Sequence, residues 1–133
     1  MFLLDTNVIS ELRKAGDVSS WLSRMDASEF YLSAVTLMEV ELGVLLVIRR
    51  DPVQGERLRE WMNACVMPTF ADRTMSVDAP VALCCARLHE PDPRPERVAL
   101  IAVSALAHGM TVVTRNVADF ALTGVPLVNP WES

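Results

Sequence analysis

Short apolar segments alternate with segments of helical spacing along this chain of 133 residues, and this alternation constrains the fold more than any other feature. Short apolar strands that alternate with helices form a parallel sheet covered by helices on both faces. We therefore predict an α/β fold of three layers, in one domain that spans 1–133. The predicted strands cover 2–5, 30–33, 74–77, 111–114 and 126–128.

The predicted helices fill the intervals between these strands, and several of them have a boundary signal. Pro52 ends the third helix, Asp78 is a typical N-cap for the fifth, and Gly109 follows the sixth. The segment 91–95 contains three prolines, which favour a stiff loop. The predicted helices cover 6–13, 18–25, 36–49, 54–64, 79–89 and 96–108.

The apolar content of the chain does not predict a membrane protein. Although 51% of the residues are hydrophobic, no uninterrupted apolar stretch reaches the roughly 20 residues that a membrane-spanning helix needs. The N-terminus lacks the basic lead of a signal peptide, and Asp5 interrupts its apolar segment. We therefore expect a cytoplasmic protein that does not associate with membranes.

Charge and cysteine content exclude two further classes of protein. The net charge of −5 argues against holding nucleic acid by bulk electrostatic attraction, although a local basic patch with a divalent cation would still bind a phosphate. The cysteines, Cys65, Cys84 and Cys85, form no CxxC pair and have no histidines at ligand spacing. We interpret them as small buried residues or free thiols, and not as a metal or redox site.

Polar residues lie at the carboxyl ends of two of the predicted strands. Asp5 is the last residue of the first strand, and the segment 114–116 lies at the end of the fourth. Ligands of parallel sheets bind at these ends. Considered alone, Asp5 is more typical of a helix N-cap, and Glu39 complements the dipole in the first turns of its helix. Asp119 alone is as typical of a turn as of a functional site. Only their convergence at one edge of the sheet would favour a site.

Four groups of motifs in this chain resemble, in the same order, those of PIN-domain ribonucleases of the VapC/FitB toxin type. They span nearly the whole chain, and together they are highly specific although no single motif is. The motifs are LDTNVISE at 4–11, SAVTLMEVELG at 33–43, ALIA at 99–102 with AHG at 107–109, and TVVTRNVADF at 111–120 with NPW at 129–131. The resemblance implies a PIN-like fold.

The resemblance also implies an acidic pocket that binds Mg²⁺ or Mn²⁺ and hydrolyses RNA phosphodiester bonds. By motif position, Asp5, Glu39 and Asp119 are the expected catalytic acids. The expected metal ligands are Asp5, Asn116 and Asp119. Mg²⁺ is a hard cation that takes oxygen ligands, polarises a phosphate and lowers the pKa of a bound water. The supporting polar positions are Thr6, Asn7 and Thr114.

The family resemblance further implies partners. By this resemblance we expect a VapB-type antitoxin that blocks the acidic pocket, a homodimer, and a particular tRNA or ribosomal RNA loop as the substrate. The apolar segment 42–48 is a candidate for either protein interface, with burial in the core at least as typical of such a segment. Arg13, Lys14 and Arg115 lie near predicted strand ends and are candidates for RNA contacts, with solvated surface charge as the alternative.

One position departs from the family pattern. A third acid, usually Asp, stands just before Ala-Leu-Ile-Ala in this family, and Val98 occupies that position here. Glu96 does not replace it, because two residues on a helix are separated by about 200° around the axis. Val98 instead extends the apolar stripe of Ile101, Ala102 and Ala105. We therefore expect weaker metal binding and much lower nuclease activity.

Two origins of Val98 stay open: an engineered change that reduces toxicity, or a natural divergence in a chain that keeps only a binding role. Val98 thus also favours a second function class, a non-catalytic module that binds an antitoxin or RNA. Phosphoryl transfer of the haloacid-dehalogenase kind is disfavoured, because it needs a second Asp two residues after the first and the chain has Asn7 there. A receiver domain is disfavoured as well, because its acidic pair and later lysine are missing.

Overall fold

The computed structural model describes residues 1–14, 16–90 and 95–132, and a five-stranded sheet lies at its centre. The strand order is β3-β2-β1-β4-β5, and every neighbouring pair is parallel. This arrangement confirms the predicted parallel sheet, although β3 is shorter than predicted. The strands are Phe2–Leu4 (β1), Phe30–Ser33 (β2), Thr74–Met75 (β3), Thr111–Val113 (β4) and Leu127–Val128 (β5).

Helices connect these strands in the predicted order. A π-helical turn at Met62–Val66 joins α4 to α5, so the helical segment runs to Thr69 and not only to the predicted end at residue 64. Residues 91–94 of the predicted proline-rich loop lie outside the described residues. The helices are Thr6–Glu11 (α1), Asp17–Ser23 (α2), Ala34–Arg50 (α3), Pro52–Trp61 (α4), Met67–Thr69 (α5), Ala79–Leu88 (α6), Glu96–Ala107 (α7) and Val117–Phe120 (α8).

Side-chain caps fix where several helices begin. The Ser33 hydroxyl accepts the Val35 N–H at 3.1 Å before α3, and Asp78 accepts the Val81 N–H before α6, as its position predicts. Pro95 precedes α7 and provides no side-chain cap. Gly109, with φ of 65°, follows the end of α7 in the left-handed region that glycine adopts without strain.

The core has two main layers because successive strand residues point to opposite faces of the sheet. Leu4, Leu32 and Val113 pack against side chains of α1, α2 and α3 on one face. Leu3 and Val112 pack against side chains of α7 and α8 on the other face. Helices therefore cover both faces, which confirms the predicted three-layer arrangement.

Val98 lies in the second of these layers. Its side chain is 2% exposed and belongs to the same apolar cluster as Ile101, Ala102 and Ala105. The predicted apolar stripe of α7 is therefore present, and Val98 is part of the core.

The apolar segment 42–48 divides between the core and the surface. Val44 is buried, whereas Leu42, Leu45 and Leu46 are exposed along with Met38 on the same helix.

No helix within the described ranges combines the length and apolar composition that crossing a membrane requires.

Candidate active site

Asp5 is fully buried at the carboxyl end of the central strand, where its side chain accepts several hydrogen bonds. Its Oδ1 accepts the backbone N–H of Thr6 at 2.8 Å, so Asp5 is the N-cap of α1. Its Oδ2 accepts the hydroxyl of Thr114 at 2.8 Å and the amide of Asn7 at 3.4 Å. A buried carboxylate is stable only with such partners, so folding fixes the position of Asp5.

Glu39 reaches the same location from the second turn of α3. The hydroxyl of Thr6 donates to Glu39 Oε1 at 2.7 Å. Thr6 therefore contacts both acids, Asp5 through its backbone N–H and Glu39 through its side chain. The first and second predicted acids, 34 positions apart in the chain, lie on two sides of one residue.

Arg97 lies between these two acids. Its Nη2 is 2.6 Å from Asp5 Oδ1, and its Nε is 2.5 Å from Glu39 Oε2. Burial alone would lower the pKa of the Arg97 guanidinium, but hydrogen bonding to Glu39 and the charges of Asp5 and Glu39 raise that pKa overall. The guanidinium is therefore permanently charged and bridges the two carboxylates.

Sequence reasoning considered both neighbours of Arg97 in the chain and missed Arg97 itself. The Val98 side chain packs in the core. The side chain of Arg97, one position earlier on the helix, reaches Asp5 after β1 and Glu39 in α3. A cation beside the position where an acid is expected was the available signal in the sequence.

Polar side chains connect the ends of β1 and β4. Asn7 Oδ1 accepts the backbone N–H of Arg115 at 3.2 Å, and the Thr114 hydroxyl accepts that of Asn116 at 3.0 Å. Since the same hydroxyl donates to Asp5, one side chain links the buried acid to the start of α8. The structure thus brings Thr6, Asn7 and Thr114 against Asp5.

Asp119 lies on α8 and is exposed. Its backbone N–H donates to the carbonyl of Asn116, but across the described residues its carboxylate has no hydrogen bond or ion pair with Asp5 or Glu39. The structure therefore brings Asp5 and Glu39 together through Thr6 and Arg97, and leaves the Asp119 side chain exposed on α8.

One other group of side chains has metal-ligand character. In the part of the chain that the structure describes, the only three such ligand atoms within 4.8 Å of one another belong to Cys85, His89 and Glu96. The expectation of no histidine at ligand spacing from a cysteine is thus wrong for Cys85, because His89 follows it by one helical turn. Burial, and then the charge of Glu96, raise the pKa of the Cys85 thiol. Metals bind the thiolate, so this environment opposes binding.

A cleft of about 270 Å³ lies beside Glu39 and is lined by residues of α1, α3 and α4. Its lining also includes Thr6, Arg13 and Trp61. The Arg13 guanidinium lies 5.6 Å from the centroid of the Trp61 ring in a cation–π contact, and Arg13 is an exposed residue. A basic group and an aromatic ring therefore share a cleft with one of the two acids.

The two other predicted basic residues have different surroundings. The exposed Arg115 stacks at 5.1 Å from the centroid of the Trp131 ring, while Lys14 pairs with Glu11 at 3.2 Å. The cation–π contact positions Arg115 beside the end of β4, whereas the charge of Lys14 is already compensated locally.

Known proteins are similar to this chain over nearly its full length, although no protein-family model matches it. Toxin FitB of Neisseria gonorrhoeae is 37% identical over 141 aligned positions, which cover 98% of this chain and 99% of FitB. VapC ribonuclease Y4jK of Sinorhizobium fredii is 33% identical and covers 99% of both chains. This chain belongs to the VapC/FitB family of PIN-domain toxins.

Solved structures of proteins with similar sequences have the same fold. The crystal structure of FitAcB from Neisseria gonorrhoeae superposes with a TM-score of 0.90 at 33% identity, over the whole of both chains. A toxin-antitoxin complex from Klebsiella pneumoniae superposes with a TM-score of 0.72 at 25% identity, over 98% of both chains. The sheet and both helical layers are therefore those of a PIN-like domain.

Proposed function

We propose that this VapC/FitB protein is the ribonuclease toxin of a toxin–antitoxin pair and hydrolyses RNA phosphodiester bonds. One observation carries the proposal: Asp5 and Glu39, from separate segments, lie around one cation at the carboxyl edge of the sheet. The name of the relative Y4jK, VapC ribonuclease, supports the same reaction class.

The donor chemistry of the pocket fits a hard divalent cation, Mg²⁺ or Mn²⁺. The acceptor groups that face one another are the carboxylates of Asp5 and Glu39, and the positive charge of the Arg97 guanidinium already lies between them. Asp5 and Glu39 would hold the ion, with Asn116 and Asp119 contributing from the start of α8. When bound, the ion supplies polarisation of the phosphate and acidification of water.

The residues of the chain position the acids and the substrate. Thr114, Asn7 and the Thr6 N–H hold the Asp5 carboxylate in one orientation, and the Thr6 hydroxyl holds Glu39. Arg13 in the adjacent cleft, and Arg115 beside the end of β4, would bind RNA phosphates. The RNA is a tRNA or a ribosomal RNA loop in this proposal, and the surface around the cleft selects it.

Val98 lowers the activity of the site in this proposal. At 2% exposed it is a core side chain that supplies no oxygen to the pocket, so the pocket has one negative charge fewer than the family pattern. A lower negative charge weakens divalent-ion binding, and a slow enzyme is the expected result.

A VapB-type antitoxin is the proposed protein partner, since a structural relative of this chain comes from a toxin-antitoxin complex. The exposed apolar side chains of α3, Met38, Leu42, Leu45 and Leu46, form a surface for this antitoxin or for a homodimer. Either partner would remove these side chains from water, whereas the monomer leaves them exposed.

Cleavage of total cellular RNA tests the proposed reaction. The purified chain is incubated with RNA in Mg²⁺, in Mn²⁺ and in chelator, beside the isosteric variants Asp5→Asn and Glu39→Gln. We expect cleavage with either ion, none in chelator, and at least about 100-fold slower cleavage by each variant. Circular dichroism confirms that each variant is folded. Full activity in chelator or in the Asp5→Asn variant contradicts the proposal.

The second candidate function is a non-catalytic module that binds an antitoxin or RNA. Val98 in the core and Arg97 across the acids favour it, because both reduce the free negative charge available to a metal. An RNA that binds to the chain without being cleaved in either ion would support this function over the first.

A further inference from the structure

The place of Arg97 in its helix is not explained by the helix itself. Arg97 is the second residue of α7, and the preceding Pro95 provides no side-chain cap. The amino end of a helix carries partial positive charge and disfavours a cation there. The acids Asp5 and Glu39 must therefore supply the interactions that hold the guanidinium in place.

All four carboxylate oxygens of the acidic pair already have a partner, and Arg97 uses one oxygen of each acid. Asp5 Oδ1 and Glu39 Oε2 contact the guanidinium, while Thr114 and Thr6 donate to the other two oxygens. A divalent ion between the acids would need the oxygens that face Arg97. The ion and the guanidinium thus compete for the same two atoms.

Arg97 nevertheless has a route out of the pocket. Its side chain is 31% exposed and that of Glu39 is 23% exposed, so the pocket opens to solvent on their side. Val98 holds the adjacent backbone in the core, so α7 keeps its position when the arginine changes rotamer. Displacement is therefore a side-chain movement that leaves the helix in place.

We infer that Arg97 is an internal counter-ion that occupies the cation position between Asp5 and Glu39, and that a divalent ion binds there only by displacing its guanidinium. The inference rests on the proposed function for the identity of the competing ion. Without the ion, Arg97 neutralises the buried acid and keeps the pocket closed to metal. Arg97 thereby sets the metal affinity, whatever the rate of the chemical step.

Mn²⁺ binding measured without RNA tests this inference. Electron paramagnetic resonance counts free Mn²⁺ during titration of the wild-type chain, of Arg97→Gln, and of Arg87→Gln. The last variant removes the same charge from an exposed position on α6. We expect Arg97→Gln to bind Mn²⁺ at least about tenfold more tightly than the wild type, and Arg87→Gln to bind within about threefold of it.

Thermal unfolding with and without Mn²⁺ gives a second readout, which also works for variants of low stability. Without metal, Arg97→Gln should unfold below the wild type because Asp5 loses its counter-charge, and Mn²⁺ should raise its Tm more than that of the wild type. Arg97→Lys keeps the charge but replaces two separated nitrogens by one, so its Mn²⁺ affinity should fall between those of the other two forms.

The outcomes separate this inference from the proposed function. Equal Mn²⁺ affinity in folded wild type and Arg97→Gln overturns the role of Arg97 and leaves the proposed reaction standing. Binding by neither form overturns both the competition and the metal-dependent reaction. Tighter binding by Arg97→Gln, with intermediate binding by Arg97→Lys, supports the inference even if RNA cleavage stays slow.

Discussion

Two strand ends at the same edge of the sheet hold their acids in different ways. At the β1–α1 junction Asp5 is fully buried and contacts Thr6, Asn7, Thr114 and Arg97. At the β4–α8 junction Asp119 is exposed, and its carboxylate has no hydrogen-bond partner among the described residues. Folding therefore fixes the position of Asp5, whereas it leaves the Asp119 side chain in solvent.

The largest expected contrast between the two junctions is in stability. Asp5→Ala leaves Arg97 and Thr114 without their buried partner, which should lower the free energy of unfolding by about 3–5 kcal/mol. Asp119→Ala removes an exposed side chain and should change that free energy by less than about 0.5 kcal/mol. Urea denaturation of the two variants measures the difference. Similar losses in both would show that Asp119 is held by the fold after all.

Val98→Asp adds an acid next to Arg97, which bridges Asp5 and Glu39. A third carboxylate beside Arg97 should increase metal binding and raise Mg²⁺-dependent RNA cleavage by at least about tenfold. The same change places a charge in an apolar cluster and should reduce stability in metal-free buffer by about 1–3 kcal/mol. Cleavage rates with and without chelator, beside urea denaturation, measure both effects. Equal cleavage rates would show that the third acid is dispensable in this chain.

Thr114 links the two junctions, and removing its hydroxyl tests that link. Thr114→Val keeps the shape but deletes the bonds to Asp5 and to the Asn116 N–H, which should cost about 1–3 kcal/mol of stability. Thr111→Val, at the start of β4, is the matched control, because no hydrogen bond of its hydroxyl is present among the described residues. Equal stability of the two variants would contradict the role of the Thr114 hydroxyl.

The difference between the junctions also explains which parts of the molecule the sequence predicts. The strands and most helices follow from apolar runs and local capping residues, and Asp5 is the helix cap that its position indicates. Periodicity alone places Val98 in the core. These features depend on neighbours in the chain, so their sequence signals are local.

Arg97 is different because its partners belong to other elements. Its contacts with Asp5 and Glu39 depend on how α7 is rotated against β1 and α3, which no local pattern specifies. The extension of α4 through a π-turn depends in the same way on packing of the segment 62–69. The roles of Asn116 and Asp119 stay predictions, because exposed side chains are not fixed by packing.

The smallest expected effect on stability concerns an arginine ion pair at the surface, which serves as a comparison for the ion pairs of Arg97 in the pocket. Arg59 binds both oxygens of Glu41 at 2.7 Å, and Glu41 lies two residues after Glu39 on the same helix. The hydrogen bond from Arg59 lowers the pKa of Glu41 below its ordinary value of 4.5. The stabilisation is therefore present above that ordinary pKa and is lost as pH falls through the lowered one.

Arg59→Gln should reduce stability at pH 7 by less than Arg97→Gln does, since exposed ion pairs are screened by solvent. The difference from the wild type should vanish in acid, once Glu41 is protonated in both chains. Urea denaturation of Arg59→Gln and Arg97→Gln at pH 7, in metal-free buffer, then compares two bridges of similar length. If Arg59→Gln and Arg97→Gln lower the free energy of unfolding equally, burial does not make the Arg97 bridge stronger than the surface bridge. The contrast between the two junctions would then have no physical basis.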